Sequence, residues 1–511
     1  MSSDRSYLVL VAALLVAIAG ATVVRGTAPK FRSDDPIQVD DDRALDASKA
    51  APIDGSNMYD FAEETFFKPG DRRNVHAMNV NTLDEVPDST WFTNRIGGRA
   101  IPIDELVRGP NYLDGLDISG WPIVEGKSRG VTPGYRIVDP TGRLYQVKFD
   151  PPSNPEMASG AEVIGAAIYH ALGYNVVEGY IAEVDPSAIV IAPTATTVDM
   201  KGRRKLMTRA DVDKVLKRAA RQPNGKYRAI VSRYAAGKPL GYFKYYGTRP
   251  DDPNDIHPHE HRRELRGSRV FAAWLNHDDS RGINSLDMLE TSDGRGFIRH
   301  YMFDFGSIMG SGSTMPQAPR AGNEYILEWK PGWITLATLG LWVRPWALVR
   351  YPDVAKSVGR FEADFFDPVK WKPEYPNPAF DNMRADDAFW AARLVSKFSD
   401  EAIRAIVAKA RYSEPGASEY ITKILIARRD KVLATWLTAV NPIGDVSLAA
   451  DGALTFHNAA ADAGLARGAV SYELTWMNVD NATGTTTPAS EPARIDGLRA
   501  TLPAPLARGG E

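Results

Sequence analysis

Trp274-Leu275-Asn276-His277-Asp278-Asp279-Ser280-Arg281-Gly282-Ile283-Asn284 is a polar run that follows a helical pattern. Downstream, Ile298 to Phe303 reads as a strand that ends in Asp304-Phe305-Gly306. Asn284 and Asp304 thus stand at the two ends of a hairpin-like segment. An amide oxygen and a carboxylate so placed make a natural Mg²⁺ site, because that ion takes hard oxygen ligands. A carboxylate just ahead of them, Asp278 or Asp279, can accept the proton of an attacking hydroxyl.

Working outward toward the amino terminus, Leu144-Tyr145-Gln146-Val147-Lys148-Phe149 alternates as a strand should, with Lys148 alone among apolar residues. It is the third of three strands. Pro122-Ile123-Val124-Glu125 and Tyr135-Arg136-Ile137-Val138 precede it, the glycine-bearing loop Gly126 to Gly134 lies between those two, and Asp139-Pro140-Thr141-Gly142 is a turn. Met157 to Leu172 has helical spacing and is stopped by Gly173. Glu162 on that helix is placed to pair with Lys148, and an ammonium held by a carboxylate stays charged and suits nucleotide phosphates.

Lys148 in Gln-Val-Lys-Phe, Glu162, His277-x-Asp279-x-x-x-x-Asn284 and Asp304-Phe305-Gly306, in that order, resemble the protein-kinase superfamily. The resemblance covers roughly residues 120–440 and looks closer to divergent bacterial branches, such as HipA-like and spore-coat CotH-like kinases. It implies an α+β, two-lobed protein-kinase-like fold with a β-rich N-lobe and a helical C-lobe. It also implies ATP and Mg²⁺ as cofactors. Lys148 would bind phosphates, Glu162 would orient it, Asp279 would be the catalytic base, and Asn284 with Asp304 would hold the metal. The spacing to Asn284 favours Asp279 over Asp278. Gly126, Lys127, Gly130 and Gly134 would cover the nucleotide, although the loop departs from the family's Gly-x-Gly-x-x-Gly. No Ala-Pro-Glu follows Asp304, so ordinary peptide docking is not supported.

The rest of the chain divides around this core. Residues 1–26 hold the apolar run Tyr7–Val24, read as a signal peptide or membrane anchor, and residues 27–57 read as an acidic flexible linker. Residues 58–119 are expected as an extension packing on the kinase-like core. Residues 120–247 make the N-lobe, ending in the linker-like run Ser232–Gly247, and 248–441 make the C-lobe. Gly452–Phe456 and Tyr472–Trp476 alternate at period two with turn residues between them, and residues 442–511 suggest a small C-terminal β-sandwich domain. The amino terminus implies an exported or membrane-anchored, extracytoplasmic protein of the periplasm or cell envelope.

Net charge is -3, with 61 basic and 64 acidic residues well mixed, so bulk electrostatics imply no nucleic-acid partner. The absence of cysteine excludes disulfides and thiolate chemistry. His257-x-His259-x-His261 is read as turn and capping rather than a metal chelate. Trp333 to Val349, with three tryptophans, is read as lobe packing, with a membrane or substrate surface as the other reading.

Two functions are expected. One is transfer of the ATP γ-phosphoryl to a hydroxyl of an extracytoplasmic protein or glycan. The other is a catalytically weak, pseudokinase-type scaffold for an envelope partner. Transfer of AMP on the same fold is a third, weaker possibility.

Overall fold

The structure, a computed structural model, describes residues 44–503 apart from 82, 129, 200, 467–469 and 481–484. The apolar run Tyr7–Val24 and the tether up to residue 43 lie outside the described residues. Among those described, no helix is long and apolar enough to cross a membrane.

In chain order the α-helices up to residue 436 are α1 (Asn57–Ala62), α2 (Ile103–Arg108), α3 (Met157–Leu172), α4 (Arg209–Lys217), α5 (Arg263–Leu275), α6 (Trp329–Ala337), α7 (Pro378–Asp381), α8 (Ala385–Ser396), α9 (Asp400–Ala408) and α10 (Pro415–Trp436). The strands up to the hairpin are β1 (Pro122–Gly126), β2 (Gly134–Val138), β3 (Leu144–Phe149), β4 (Asn175–Val176), β5 (Gly179–Val184), β6 (Val190–Val198), β7 (Arg204–Leu206), β8 (Tyr227–Arg233), β9 (Lys238–Gly241), β10 (Ser285–Ser292) and β11 (Arg295–Met302). The result is a mixed α/β chain with a sheet-rich first part and a helical second part.

The first part is a seven-stranded sheet in the order β5-β8-β3-β2-β1-β6-β7. Period-two alternation decides its faces. Tyr145, Val147 and Phe149 of β3 share one buried cluster with Val212 and Leu216 of α4. Gln146 and Lys148 are left on the opposite face. On β8, Ala229 and Val231 join the α4 side, while Ile230 joins the main core built around α3.

That main core gathers α3, α5, α8, α9 and α10. The extension before β1 contributes to it directly. Phe92 packs edge-on against Tyr174 at 5.6 Å and lies 5.5 Å from Trp390. A Cβ on Gly173, which has φ +127°, would stand 2.3 Å from the Phe92 ring, so glycine serves both the turn and the close approach. Ser399 caps α9 by accepting the Ala402 N–H at 3.1 Å, and Phe398 lies 5.4 Å from Trp274.

A second sheet, β4-β11-β10-β9, lies at the junction. β10 and β11 pair in unbroken register from Ser285↔Met302 to Ser292↔Arg295. This corrects the reading of Ser232–Gly247 as linker, because β9 within it pairs with β10. Residues 44–57 are likewise not a free tether. Ala47 and Ala50 are buried against Leu240 and Ile298, and the Asp46 carboxylate accepts the Gly296 N–H at 2.8 Å. Asp46, within the stretch read as solvated linker, therefore serves as an acceptor for a strand amide.

The carboxy-terminal part carries β12 (Ile443–Leu448), β13 (Ala453–Asn458), β14 (Tyr472–Leu474), β15 (Met477–Val479), β16 (Thr486–Pro488), β17 (Ala493–Ile495) and β18 (Arg499–Thr501). They form a three-stranded sheet, β12-β13-β18, and two two-stranded ribbons.

Candidate active site

Lys148 leaves β3 on the face away from the α4 cluster. Its Nζ lies 2.8 Å from Asp304 Oδ1 and 3.9 Å from Glu162 Oε2. Burial works against the ammonium, but the charges of Asp304 and Glu162 more than offset it and hold its pKa above the usual lysine value. For Glu162 the balance is opposite, since burial raises its pKa although Lys148 pulls it down. Asp304 is held below the usual carboxylate range, chiefly by Lys148.

Local structure explains the convergence. Asp150, just past β3, accepts both the N–H and the hydroxyl of Ser159, at 2.9 and 2.5 Å, and so ties β3 to the first turn of α3. Glu162 lies on the next turn. Its carboxylate lies against the backbone N–H groups of Gly306 and Phe305, which pull its pKa down against the effect of burial. Asp304 itself sits in the left-handed region at φ 65°, where the chain leaves β11 and enters a 3₁₀ turn over Phe305–Ser307. A Cβ on Gly165 would stand 2.6 Å from Phe305 Cβ, so a small residue one turn beyond Glu162 lets that 3₁₀ turn lie on α3.

The second arm of the site hangs from the end of α5. Asn276, at φ 49°, stops the helix in the left-handed conformation. Arg428 of α10 donates to the helix-end carbonyls of Ala273 and Trp274, the latter at 2.9 Å. Asn276 also receives the Trp371 indole N–H at 2.9 Å and donates to Gln317 at 2.8 Å. The loop from 277 to 284 therefore starts from a fixed point. It is closed by Asn284, whose Nδ2 donates to the Asp279 carbonyl at 2.9 Å.

Asp278 and Asp279 part ways on this loop. Asp278 is buried beneath the 320–374 segment, where Gly322 N–H approaches Oδ1 at 3.4 Å, and burial pushes its pKa up to about 6. Asp279 is partly exposed. Burial pushes its pKa up to about 7, while Arg281 pulls it down.

The loop between β1 and β2 departs from the sequence reading. Gly126 is the last residue of β1 and Gly134 the first of β2, so they belong to the sheet. A Cβ on Gly126 would stand 2.4 Å from Thr197 Oγ1, and one on Gly134 would stand 2.1 Å from the Val147 carbonyl oxygen. Close strand neighbours account for both glycines. Gly130, at φ +76°, does lie in the loop. Lys127 folds back on it and donates to the Thr132 carbonyl at 2.8 Å and hydroxyl at 2.7 Å. Burial, reinforced by the Lys148 charge, brings its pKa down to about 8.

Three parts of the site escaped the sequence reading. Arg281 bridges Asp279 at 2.5 Å and Glu374 at 2.6 Å. Its place two residues after Asp279 was a visible signal. Tyr375 lies under the Arg281 guanidinium and donates to Asp60, so the amino-terminal extension reaches the 277–284 loop. His277, Tyr169 and Phe305 form an aromatic cluster, with Tyr169 stacked on Phe305 at 4.7 Å and the Tyr169 hydroxyl 3.3 Å from His277 Nδ1. Burial lowers the His277 pKa to about 4, so its ring is neutral near pH 7.

Three further histidines take separate partners. His259 lies 2.7 Å from Asp255 and His261 lies 3.0 Å from Asp71, and the 3₁₀ turn His259–His261 leads into α5. His76, Asp84 and Asp386 gather at the surface, but Arg263 already pairs with both carboxylates, at 2.8 and 3.2 Å.

A lysine on a central strand, a glutamate on the following helix, and an Asp–Asn loop joined by a hairpin to a second aspartate fit a kinase-like fold. No family model matches the chain, and no curated protein matches it. Two solved structures share a loose likeness. One is the Helicobacter pylori proinflammatory kinase CtkA, at 12% identity over 62% of this chain and 95% of that one, with a TM-score of 0.34. The other is the Golgi casein kinase, at 9% identity over 81% of this chain and 94% of that one, with a TM-score of 0.33. Likeness of that degree carries no weight beside the geometry itself.

Proposed function

We propose that this chain is a kinase-like phosphotransferase that moves the ATP γ-phosphoryl to a hydroxyl acceptor. The observation that carries the reading is Lys148 Nζ lying between Glu162 and Asp304, three residues from three separate elements. Lys148 keeps its charge despite burial because Glu162 and Asp304 face it, and the two carboxylates orient it as a phosphate ligand requires. Asp279, with a pKa of about 7, is poised to accept a hydroxyl proton near neutral pH.

The oxygen donors Asp304 and Asn284 suit Mg²⁺, and the Asp304 carboxylate is ionised and 39% exposed, so they are the residues that would hold it. When bound, the ion neutralises phosphate charge. Arg281 pairs with Asp279, and Lys127 lies near enough to Lys148 to feel its charge. The apolar run before Ala44 supports an extracytoplasmic protein or glycan as the acceptor.

A second reading, a scaffold that binds nucleotide weakly or not at all, is favoured by Lys127. Its ammonium is spent on its own loop, which lacks the family's glycine spacing. Thermal unfolding of the full chain with and without ATP and Mg²⁺, beside a labelled-phosphate transfer assay, separates the two. A shift together with transfer supports the enzyme. No shift and no transfer would leave the scaffold.

A further inference from the structure

Between Glu328 and Asp353 the chain has no acidic residue, three cations (Lys330, Arg344 and Arg350) and four of its 11 tryptophans. Trp329, Trp333 and Leu336 recur at helical spacing and share one face of α6. A stripe of that composition ordinarily turns inward. Here it turns to water, and α6 buries none of its residues. The turn after the helix is barer still, with Leu339 89% and Leu341 86% exposed. Leu339 at φ 49° and Gly340 at φ +82° make the reversal that sets those leucines at the tip. Val343 and Leu348 extend the patch. This corrects the reading of the segment as lobe packing: its inner edge is anchored and its outer surface is not covered.

The base is firmly built. Arg344 Nε and Trp346 Nε1 each donate to Glu324 at 2.8 Å, and the Thr338 hydroxyl donates to the Ile334 carbonyl at 2.8 Å. An ordered projection tipped with leucine, flanked by indoles and free of acids has the make-up of an interfacial membrane element, in which apolar side chains enter the acyl boundary and indoles sit at headgroup level. Lys330 and Arg350 complement anionic headgroups. We infer that this projection docks on the surface of an anionic phospholipid bilayer. The chain supplies a way to bring it there. Residues 25–43, 19 positions, lie between the apolar run and the first described residue, and a fully extended chain of that length spans at most about 65 Å at roughly 3.4 Å per residue.

The absence of native cysteine makes a direct test possible with the full chain. Leu339→Cys, carrying an environment-sensitive nitrobenzoxadiazole label, is added to phosphatidylglycerol vesicles. Leu498→Cys, exposed in the carboxy-terminal part, carries the same label as a control. The proposal expects a blue shift and a rise in emission at Leu339→Cys, quenched by lipids brominated on the acyl chain, with no change at the control. It is overturned if the chain floats with the vesicles while the Leu339→Cys label stays at its aqueous emission. It is also overturned if the shift occurs without lipid and grows with protein concentration, since a second copy of the chain would then cover the patch. Both substituted side chains are exposed, so the fold is expected to survive the change.

Discussion

Lys148 Nζ stands 2.8 Å from Asp304 Oδ1 across 156 positions of sequence, closer than it stands to Glu162. In this state the lysine and the aspartate neutralise each other. A nucleotide and its cation would replace one internal pair by two external ones, with phosphate on the lysine and metal on the carboxylate. Asp304→Ala is therefore expected to abolish any ATP–Mg²⁺ thermal shift. A ligand at about 100 times its Kd stabilises by about 2.7 kcal/mol, so the loss is measurable by differential scanning fluorimetry. A shift that persists unchanged in Asp304→Ala would remove that residue from the site.

Lys148→Met tests the other partner. Glu162 is buried, and without the ammonium its charge is left uncompensated, at a cost of about 3–5 kcal/mol. The variant is expected to unfold at lower urea than wild type, and Lys148→Arg is expected to recover part of that loss. Equal urea midpoints for wild type and Lys148→Met would show that the pair contributes nothing to the fold.

Asp279→Asn is expected to lower phosphate transfer by about 10²–10⁴-fold, the range of a lost general base, while the nucleotide thermal shift is kept. Asp278→Asn is expected to keep transfer within a few-fold, because that side chain is buried away from the loop's open side. The reverse ranking would move the base to Asp278.

The pH profile carries a signed expectation. Burial raises the Asp279 pKa to about 7, so the residue is protonated and idle as a base below that value. Transfer should rise as pH increases through about 7. The same shift has the opposite sign for stability: the folded state holds a proton that the unfolded chain releases near pH 4, so this group's contribution falls as pH rises from about 4 to 7. A rate that is level between pH 5.5 and 8 would argue against Asp279 as the titrating base.

Tyr375→Phe removes the hydroxyl that Asp60 accepts, and leaves a buried carboxylate short of a donor. The expected cost is about 1–3 kcal/mol in chemical denaturation. Because Tyr375 also lies beneath Arg281, transfer is expected to fall with stability. Activity and stability both unchanged would mean that the extension does not brace the loop.

Much of the site was legible locally. Strand alternation over Leu144–Phe149 and helical spacing over Met157–Leu172 are set by backbone geometry, so the faces of Lys148 and Glu162 could be read without any partner. The order of Asp279, Asn284 and Asp304 around a hairpin was legible for the same reason. The glycine loop misled because Gly126 and Gly134 answer to Thr197 and Val147, neighbours that are remote in the chain or across a strand pair.

The sequence alone determined which side chains exist to do chemistry and on which local element each stands, since those depend on short-range backbone preference. Tertiary structure alone decided which aspartate is buried, that Asp60 reaches Arg281 through Tyr375, and that α6 turns its apolar stripe to water. Each of these depends on what lies opposite a surface, and burial and charge pairing are properties of two surfaces meeting rather than of either segment by itself.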